Sequence, residues 1–285
     1  MTPTAHGVGP FADPAFLGVL HRHHPRGTLL VGEVDGGAAT LEDVDGVVMG
    51  VGDRDVVDYR SPLGVAGPEA VADLVGDKAL DLDSVPLDVA LAIGDVFAAR
   101  GRNVEVVEDD LTAVVDLPAS FDDWLADLGK KERHETRRKH RRYEDMVGPV
   151  VVEEYTRPGP RFEEFVALHR SSAGEKGDFM TDAMAAFFSD LLSLDGWSIR
   201  ALVAPDGTMA AAGFGACDED GFYLYNSAFD AERGAASPGV VLVAALVEDC
   251  IGRGLARFDF LKGDETYKFR LGARRRPLGR VVVPA

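Results

Sequence analysis

The stretch that decides the fold is the run of three apolar segments WSIRALVA (197–204), MAAAGFGAC (209–217) and FYLYNSAF (222–229). Turn-forming residues separate them, at 205–207 and again at 218–221. Apolar and β-branched runs bounded by Gly, Pro and Asp are typical of strands joined by tight turns. An apolar helix beginning at Pro238 and a further strand at 256–261 follow. Strands alternating with helices predict an α/β (α+β) fold.

The composition limits what this fold can belong to. The chain has 285 residues, of which 46% are hydrophobic and 27% charged, a balance typical of two folded domains. The longest apolar run, 240–247, is far shorter than the roughly 20 residues of a membrane span. The first ten residues lack the basic and apolar parts of a secretory signal, and two cysteines cannot build a disulfide framework. We therefore expect a cytoplasmic protein with no membrane association and no metal centre.

The net charge of −18 is distributed unevenly along the chain. Residues 130–142 contain eight Lys and Arg against Glu132 and Glu135, so this segment carries +6 and the remainder −24. An acidic surface repels polyanions, which argues against general nucleic-acid binding. The basic segment can still bind phosphate groups locally, or it is a solvated spacer.

The chain divides near Pro118, which follows the strands predicted at 103–107 and 112–117. Further strands are predicted at 28–34, 47–51 and 55–59. From residue 121 to about 147 the pattern predicts one long helix that contains the basic segment. The predicted domains are therefore 1–117 and 118–285.

Two segments of the second domain are candidates for chemistry. A helix is predicted to begin at Ser237, Pro238 and Gly239. In one interpretation the free amides of residues 239–241 bind an anion. In the other, Ser237 only caps the helix. In the run FDFLKGDETYKFRLG (258–272), Tyr267 can protonate a leaving thiolate and Lys268 can balance charge on a carbonyl oxygen. The structural alternative is a short helix capped by Asp264, with Lys268 paired to it.

Four elements in order resemble a known family. They are the basic helix, Leu168-His169-Arg170, the Ser-Pro-Gly helix start, and the run from Phe258 to Lys268. Together they resemble the GNAT-fold acetyltransferase-like family of the CelD/BcsL cellulose-biosynthesis proteins, which is related to the FemABX peptidoglycan transferases. The resemblance covers about 120–272, and DVVDYRSPLG (55–64) resembles a segment of the family's first half.

The resemblance implies two tandem GNAT-like lobes, each a twisted mixed sheet flanked by helices, the second more complete. It implies acetyl-CoA or another acyl-CoA as the co-substrate. A strand edge at Phe214 and Gly215 and a degraded phosphate loop would bind this donor, the loop contributing Arg233, Ser237, Gly239 and Val240. Tyr267, Lys268 and Asp264 are the implied catalytic residues. The acceptor is expected in the cleft between the lobes, contacted by Asp58, Tyr59, His169 and Arg170.

This interpretation leaves several partners open. The acceptor can be an amine or hydroxyl of a small molecule, a sugar or a peptide, and a homodimer is not excluded. A FemABX-like relative would instead take its acyl group from aminoacyl-tRNA, the only case in which we expect nucleic-acid binding. A non-catalytic binding protein that retains the fold is the third hypothesis, favoured by the loss of glycine from the phosphate loop.

Overall fold

A computed structural model describes residues 7–172 and 174–285. The strands are β1 (Thr28–Val34), β2 (Gly37–Val44), β3 (Val47–Gly50), β4 (Ala79–Pro86), β5 (Glu105–Asp116), β6 (Val152–Tyr155), β7 (Trp197–Val203), β8 (Met209–Cys217), β9 (Gly221–Phe229), β10 (Arg257–Lys262) and β11 (Arg274–Val283). The helices are α1 (Pro14–His23), α2 (Gly67–Val75), α3 (Leu87–Ala99), α4 (Phe121–Asp127), α5 (Lys130–Met146), α6 (Pro160–Arg170), α7 (Glu175–Phe179), α8 (Asp182–Leu192), α9 (Pro238–Gly252) and α10 (Thr266–Arg270). Three short 3-10 turns, at Gly9–Ala12, Arg54–Val56 and Ala231–Ala236, complete the described elements.

The chain forms two compact units. The first contains residues 1–113, 262–264 and 275–285, and the second contains 114–261 and 265–274. The predicted boundary at 117/118 lies close to the 113/114 division. The last eleven residues, which we assigned to the second domain, belong to the first unit, since β11 pairs with β4.

In the first unit the strands follow the order β1-β2-β3-β4-β11. The β3–β4 pair is parallel and the other pairs in this series are antiparallel. Helix α2 makes the crossover from β3 to β4, because parallel neighbours cannot be joined by a tight turn. Val71, Leu80, Ile93 and Val281 are fully buried or nearly so in one core formed by α2, α3 and these strands.

The second unit has the order β10-β9-β8-β7-β6, with β9 and β10 parallel and the remaining pairs antiparallel. Helix α9 makes the crossover from β9 to β10. Each unit thus contains an antiparallel meander followed by one helix-linked parallel strand. This is the mixed α/β arrangement, with helices flanking a mixed sheet, that the sequence pattern predicted.

Three predictions of secondary structure differ from what is observed. The helix predicted over 121–147 is interrupted, because Leu128 and Gly129 have extended backbone angles and separate α4 from α5. The strand predicted at 55–59 is absent, and Arg54–Val56 is a 3-10 turn capped by the side chain of Asp53. The segment predicted as two strands at 103–107 and 112–117 is the single strand β5.

Candidate functional site

The strands β9 and β10 separate in the middle of the second unit. Their parallel pairing joins Arg257–Asp259 to Gly221–Tyr223, whereas β9 continues to Phe229. The register between β8 and β9 shifts after Phe214, which is opposite Asn226, while Gly215 is opposite Leu224. Tyr225 is therefore the extra residue of a β-bulge, a feature that increases local twist and ends regular pairing. The pairing of β9 with β10 ends at Tyr223, two residues before this bulge, and the gap between the two strands opens there.

The two faces of the sheet at this gap are covered by different helices. A side chain at Gly213 would meet Leu242 and Leu246 of α9. The ring of Phe214, the next residue, stacks on Phe165 of α6, with the ring centres 5.8 Å apart. Because successive strand residues point to opposite faces, α9 covers one face and α6 the other.

A cavity of about 360 Å³ lies on the α9 face of the gap. It contains four of the residues predicted from the sequence, namely Ser237, Gly239, Val240 and Tyr267. Gly234 and Pro238 of the predicted phosphate loop also line it, and the lining residues that sequence reasoning missed are Ser227, Phe229, Val243 and Leu271. Ser227 and Phe229 alternate along the end of β9, so the spacing alone would have revealed them once β9 had been identified as the diverging strand.

The start of α9 borders this cavity and offers one free amide. Ser237 has left-handed backbone angles (φ 57°, ψ 47°), and its side chain makes no capping hydrogen bond. The amides of Val240 and Val241 both donate to the carbonyl oxygen of Ser237 (3.1 and 3.2 Å). Pro238 has no amide hydrogen, so only the Gly239 amide is without a partner in the described part of the helix start. Of the three expected donors, two are therefore already used.

Arg233 lies in the 3-10 turn before α9, and its charge is largely compensated. Its Nη2 is 2.7 Å from Asp206 Oδ2 and its Nε is 3.3 Å from Asp230 Oδ2. Nη1 is buried and has no hydrogen-bond partner among the described residues. Arg233 does not line the cavity, so its predicted role in donor binding is limited to a charge behind the helix start.

Tyr267 lies on α10 at the edge of the cavity. Its ring packs edge-on against Phe260 (6.0 Å between centres), and 42% of the residue is exposed. Burial, together with the charge of Glu265, raises the pKa of Tyr267 to about 12. The phenol therefore retains its proton at neutral pH, as a general acid must.

The other two predicted catalytic residues have different positions. Lys268 is buried, pairs with Glu265 at 2.9 Å, and does not line the cavity. Asp264 is exposed and belongs to a segment of the first unit. Glu265 occupies the cap position of α10, so the predicted capping role of Asp264 is not observed.

The predicted donor edge at Phe214 and Gly215 is not a free strand edge in the structure. Phe214 and Gly215 lie in β8, which pairs with β7 on one side and β9 on the other over this region. Phe214 is fully buried among aromatic rings, including those of Phe165 and Phe188. A backbone already paired on both sides cannot bind a donor, and the strand with an open side is β9.

His169 and Arg170 are placed near the site but do not line its cavity. His169 is buried on α6, with Nε2 2.8 Å from Oδ1 of Asn226 in β9. Arg170 donates to the carbonyl oxygen of Met180 and pairs with Asp182 at 2.6 Å, which ties α6 to the segment before α8. A direct role in acceptor binding is therefore not supported for Arg170, whereas His169 contacts the diverging strand.

Asp58 and Tyr59 have structural partners within the first unit. The amide of Lys262 donates to Asp58 Oδ1 at 2.9 Å. Tyr59 is fully buried, its hydroxyl is 2.6 Å from Thr112 Oγ1, and the Arg276 guanidinium lies 5.1 Å from its ring centre. A buried ring with satisfied contacts is unsuited to substrate recognition, so the prediction for Tyr59 is not supported.

The basic residues of α5 form an exposed face. Thr136 and Tyr143 are buried, and α5 packs against α9 and the 3-10 turn before it. At 100° per residue the opposite side carries the exposed basic residues Lys130, Lys131, Arg137, Arg138, Arg141 and Arg142. Arg138 pairs with Glu135 at 2.7 Å. We call these six residues the basic face.

A larger cavity of about 810 Å³ lies near the carboxyl end of α9. Its buried Arg200 pairs with Asp249 (2.9 Å) and Glu154 (3.1 Å), and Arg253 pairs with the same two carboxylates. These charges compensate one another. The cavity contains none of the predicted site residues, and its ion pairs are explained by packing of α9 against β6 and β7.

Among residues 7–172 and 174–285, three or more His, Cys, Asp or Glu side chains nowhere cluster in a way that could hold a metal ion. In the same part of the chain, every helix is too short or too polar to cross a lipid bilayer.

Comparison with known proteins defines the class of the second unit. Residues 130–269 match the family model for the acetyltransferase (GNAT) domain. The matched segment includes the basic face, the gap between β9 and β10, the start of α9 and Tyr267. These residues are therefore similar to a GNAT-type acetyltransferase domain, which agrees with the resemblance found in the sequence at the level of the GNAT domain. The CelD/BcsL part of that resemblance stays a prediction.

Solved structures extend the similarity to nearly the whole chain. A conserved protein of unknown function from Bacteroides thetaiotaomicron superposes with a TM-score of 0.68 at 12% identity, covering 99% of this chain and 93% of that one. FemX gives a TM-score of 0.68 at 11% identity, covering 98% and 92%. The L-PGS of Bacillus licheniformis gives 0.62 at 12% identity, covering 97% and 93%. At these identities the similarity establishes the fold. No curated protein matches the chain by sequence.

Proposed function

We propose that the second unit is an acyltransferase that moves an acyl group, with acetyl as the first candidate, from acyl-CoA to an amine or hydroxyl. The observation that carries the proposal is the 360 Å³ cavity in which the end of β9, the start of α9 and Tyr267 meet. The thioester arm of the donor fits along the open side of β9. The acceptor is a small molecule, a sugar or a peptide.

The start of α9 suits the donor in part. Gly234 and Gly239 leave the cavity wall without side chains, and the free Gly239 amide lies at the positive end of a fifteen-residue helix. With two of three expected amides already bonded to Ser237, a pyrophosphate is held here by fewer contacts than a glycine-rich loop supplies. We therefore expect weak donor binding.

The chemistry assigned to this chain is simple. The acceptor nitrogen or oxygen adds to the acyl carbon, and Tyr267 donates its proton to the sulfur as it leaves. The raised pKa of Tyr267 keeps that proton available at neutral pH. Lys268 takes no part, because it is buried against Glu265.

Calorimetry with acetyl-CoA tests the donor directly. Gly239→Glu places a carboxylate at the helix start and is expected to weaken binding by at least about tenfold. Gly252→Glu makes the same change at the exposed far end of α9 and is the matched control, expected to stay within about twofold of the native protein. Absence of binding to the native protein rejects acyl-CoA as donor, and equal binding by Gly239→Glu rejects the helix start as its site.

Aminoacyl transfer from tRNA is the second candidate, and the basic face favours it. This face belongs to the helix that packs against α9, so a polynucleotide donor could place phosphates there instead of at the helix start. The structural similarity to FemX agrees with this candidate at the level of the fold.

A salt titration separates the two donors. Fluorescence anisotropy with labelled tRNA should show a steep dependence of affinity on salt. Replacing Arg137, Arg138 and Arg141 by Ala should reduce the log–log slope by about 2 to 3. Arg100→Ala, at an exposed position of the first unit, is the control. Unchanged slopes in the triple variant reject the candidate.

A further inference from the structure

Asn226 is the only side-chain amide of the second unit. The chain contains two asparagines, Asn103 and Asn226, and no glutamine. Asn226 lies on β9, one residue before Ser227, which lines the cavity. It is half-buried and lies three residues beyond the last residue of β9 that pairs with β10. At about 3.3 Å per residue, it stands about 10 Å along the gap.

The β-bulge turns Asn226 away from the cavity. Leu224 and Ser227 are opposite Gly215 and Gly213, and so point to the α9 face. The ring of Tyr225 contacts Phe188 of α8, and the side chain of Asn226 contacts α6. Two consecutive residues therefore face α6 and α8, which regular alternation would not allow. Tyr267 thus borders the cavity on the α9 face, whereas the side chain of Asn226 lies on the opposite face of β9.

His169 determines which end of the Asn226 amide faces outward. Its Nε2–H donates to Oδ1 of Asn226 at 2.8 Å, and its ring is held between Phe165 and Phe179 (6.2 and 5.9 Å between centres). With the oxygen occupied, the Nδ2 group has no hydrogen-bond partner among the described residues. It is thus a neutral donor of fixed orientation at the gap.

We propose that Asn226 donates a hydrogen bond to the oxyanion that forms when the acceptor adds to the acyl carbonyl, and that His169 is its positioning residue. The inference rests on the proposed acyl transfer. The acceptor lone pair forms the new bond to carbon, and the carbonyl π electrons move to the oxygen. The Asn226 N–H donates a hydrogen bond to the oxyanion that results. When the carbonyl re-forms, the carbon–sulfur bond breaks and the sulfur leaves as a thiol with the proton of Tyr267. The acceptor's own proton passes to solvent, and solvent returns a proton to Tyr267.

The experiment uses the full chain with acetyl-CoA, and hydroxylamine as the acceptor probe. Transfer is followed by loss of the thioester ultraviolet absorbance, and donor affinity is measured by calorimetry. Asn226→Asp keeps the oxygen for His169 but replaces the donor by a carboxylate. It should lower kcat by about a hundredfold and leave the donor Kd within about twofold. If Asn226→Asp folds poorly, Asn226→Leu, which is of the same size, should likewise lower kcat and leave the donor Kd nearly unchanged. Asn103→Asp makes the same change at an exposed position and should alter neither quantity.

The outcomes distinguish the two proposals. A native protein that neither binds nor consumes acetyl-CoA rejects acyl-CoA transfer, and the assignment of Asn226 with it. An active native protein together with unchanged kcat in Asn226→Asp overturns the assignment alone, as does a parallel rise in Kd, which indicates a structural role. His169→Gln, which keeps a hydrogen-bond donor, should retain more activity than His169→Phe. The reverse order overturns the positioning role.

Discussion

At the scale of single residues, the site depends on groups whose surroundings fix their protonation and direction. Tyr267 is half-exposed at a cavity edge, yet burial and Glu265 keep its pKa at about 12. Asn226 is oriented by a buried histidine. By contrast, Lys268, Arg170 and Tyr59 have polar side chains that are bonded within the protein. Residue type and the family resemblance identified Tyr267, Lys268, Arg170 and Tyr59 as candidates but not Asn226, whose position becomes visible only from its contact with His169.

The first prediction concerns Tyr267 and pH. Tyr267→Phe removes the proton donor and should lower kcat about a hundredfold with little change in donor Kd. Because the folded pKa lies above the ordinary value of about 10, the phenol stays protonated, and the native rate should not fall through loss of this proton below about pH 11. A pH–rate profile checks this. An alkaline limb centred near pH 10 that disappears in Tyr267→Phe would contradict the raised pKa.

At the scale of elements, the strand and helix pattern was predictable where amphipathic runs end in clear turn residues. The meander from β7 to β9, helix α9 and strand β10 were all predicted within a few residues. The break between α4 and α5 was missed, although Gly129 was a visible signal for it. The bulge at Tyr225 could not have been predicted, because it depends on pairing with β8. The placement of the donor edge at Phe214 and Gly215 came from the family resemblance, which carries no information about this bulge.

The second prediction concerns the start of α9. A serine that caps a helix through its side chain costs about 1 kcal/mol when replaced by alanine. Ser237 has left-handed backbone angles and makes no such bond, so Ser237→Ala should change the free energy of unfolding by less than about 0.5 kcal/mol. Urea denaturation measures the difference. Ser120→Ala is the positive control, because Ser120 Oγ accepts from the Asp123 amide at 3.1 Å and caps α4. Equal losses in the two variants would show that Ser237 does cap α9.

At the scale of the whole chain, each unit is built from segments that are distant from one another in the sequence. The core of the first unit is completed by β11, which follows the segments of the second unit in the sequence. Composition predicted two domains, but local patterns could not predict that the last strand returns to pair with β4. Long-range pairing is set by which strand edge remains open, and sequence patterns do not carry that information.

The third prediction follows from this return of the chain. Val281 is fully buried and pairs opposite Leu82 in β4, while the neighbouring Arg280 makes a two-pronged pair with Asp81 at 2.6 Å. Val281→Ala should destabilise the protein by about 2 kcal/mol, because it leaves a space in the core formed with α2 and α3. Hydrogen exchange should then speed up in peptides covering 67–99, more than 180 residues away in sequence. Val31→Ala, at an exposed position of β1, is the control and should have little effect. If exchange over 67–99 were unchanged, β11 would not be part of the cooperative core of the first unit.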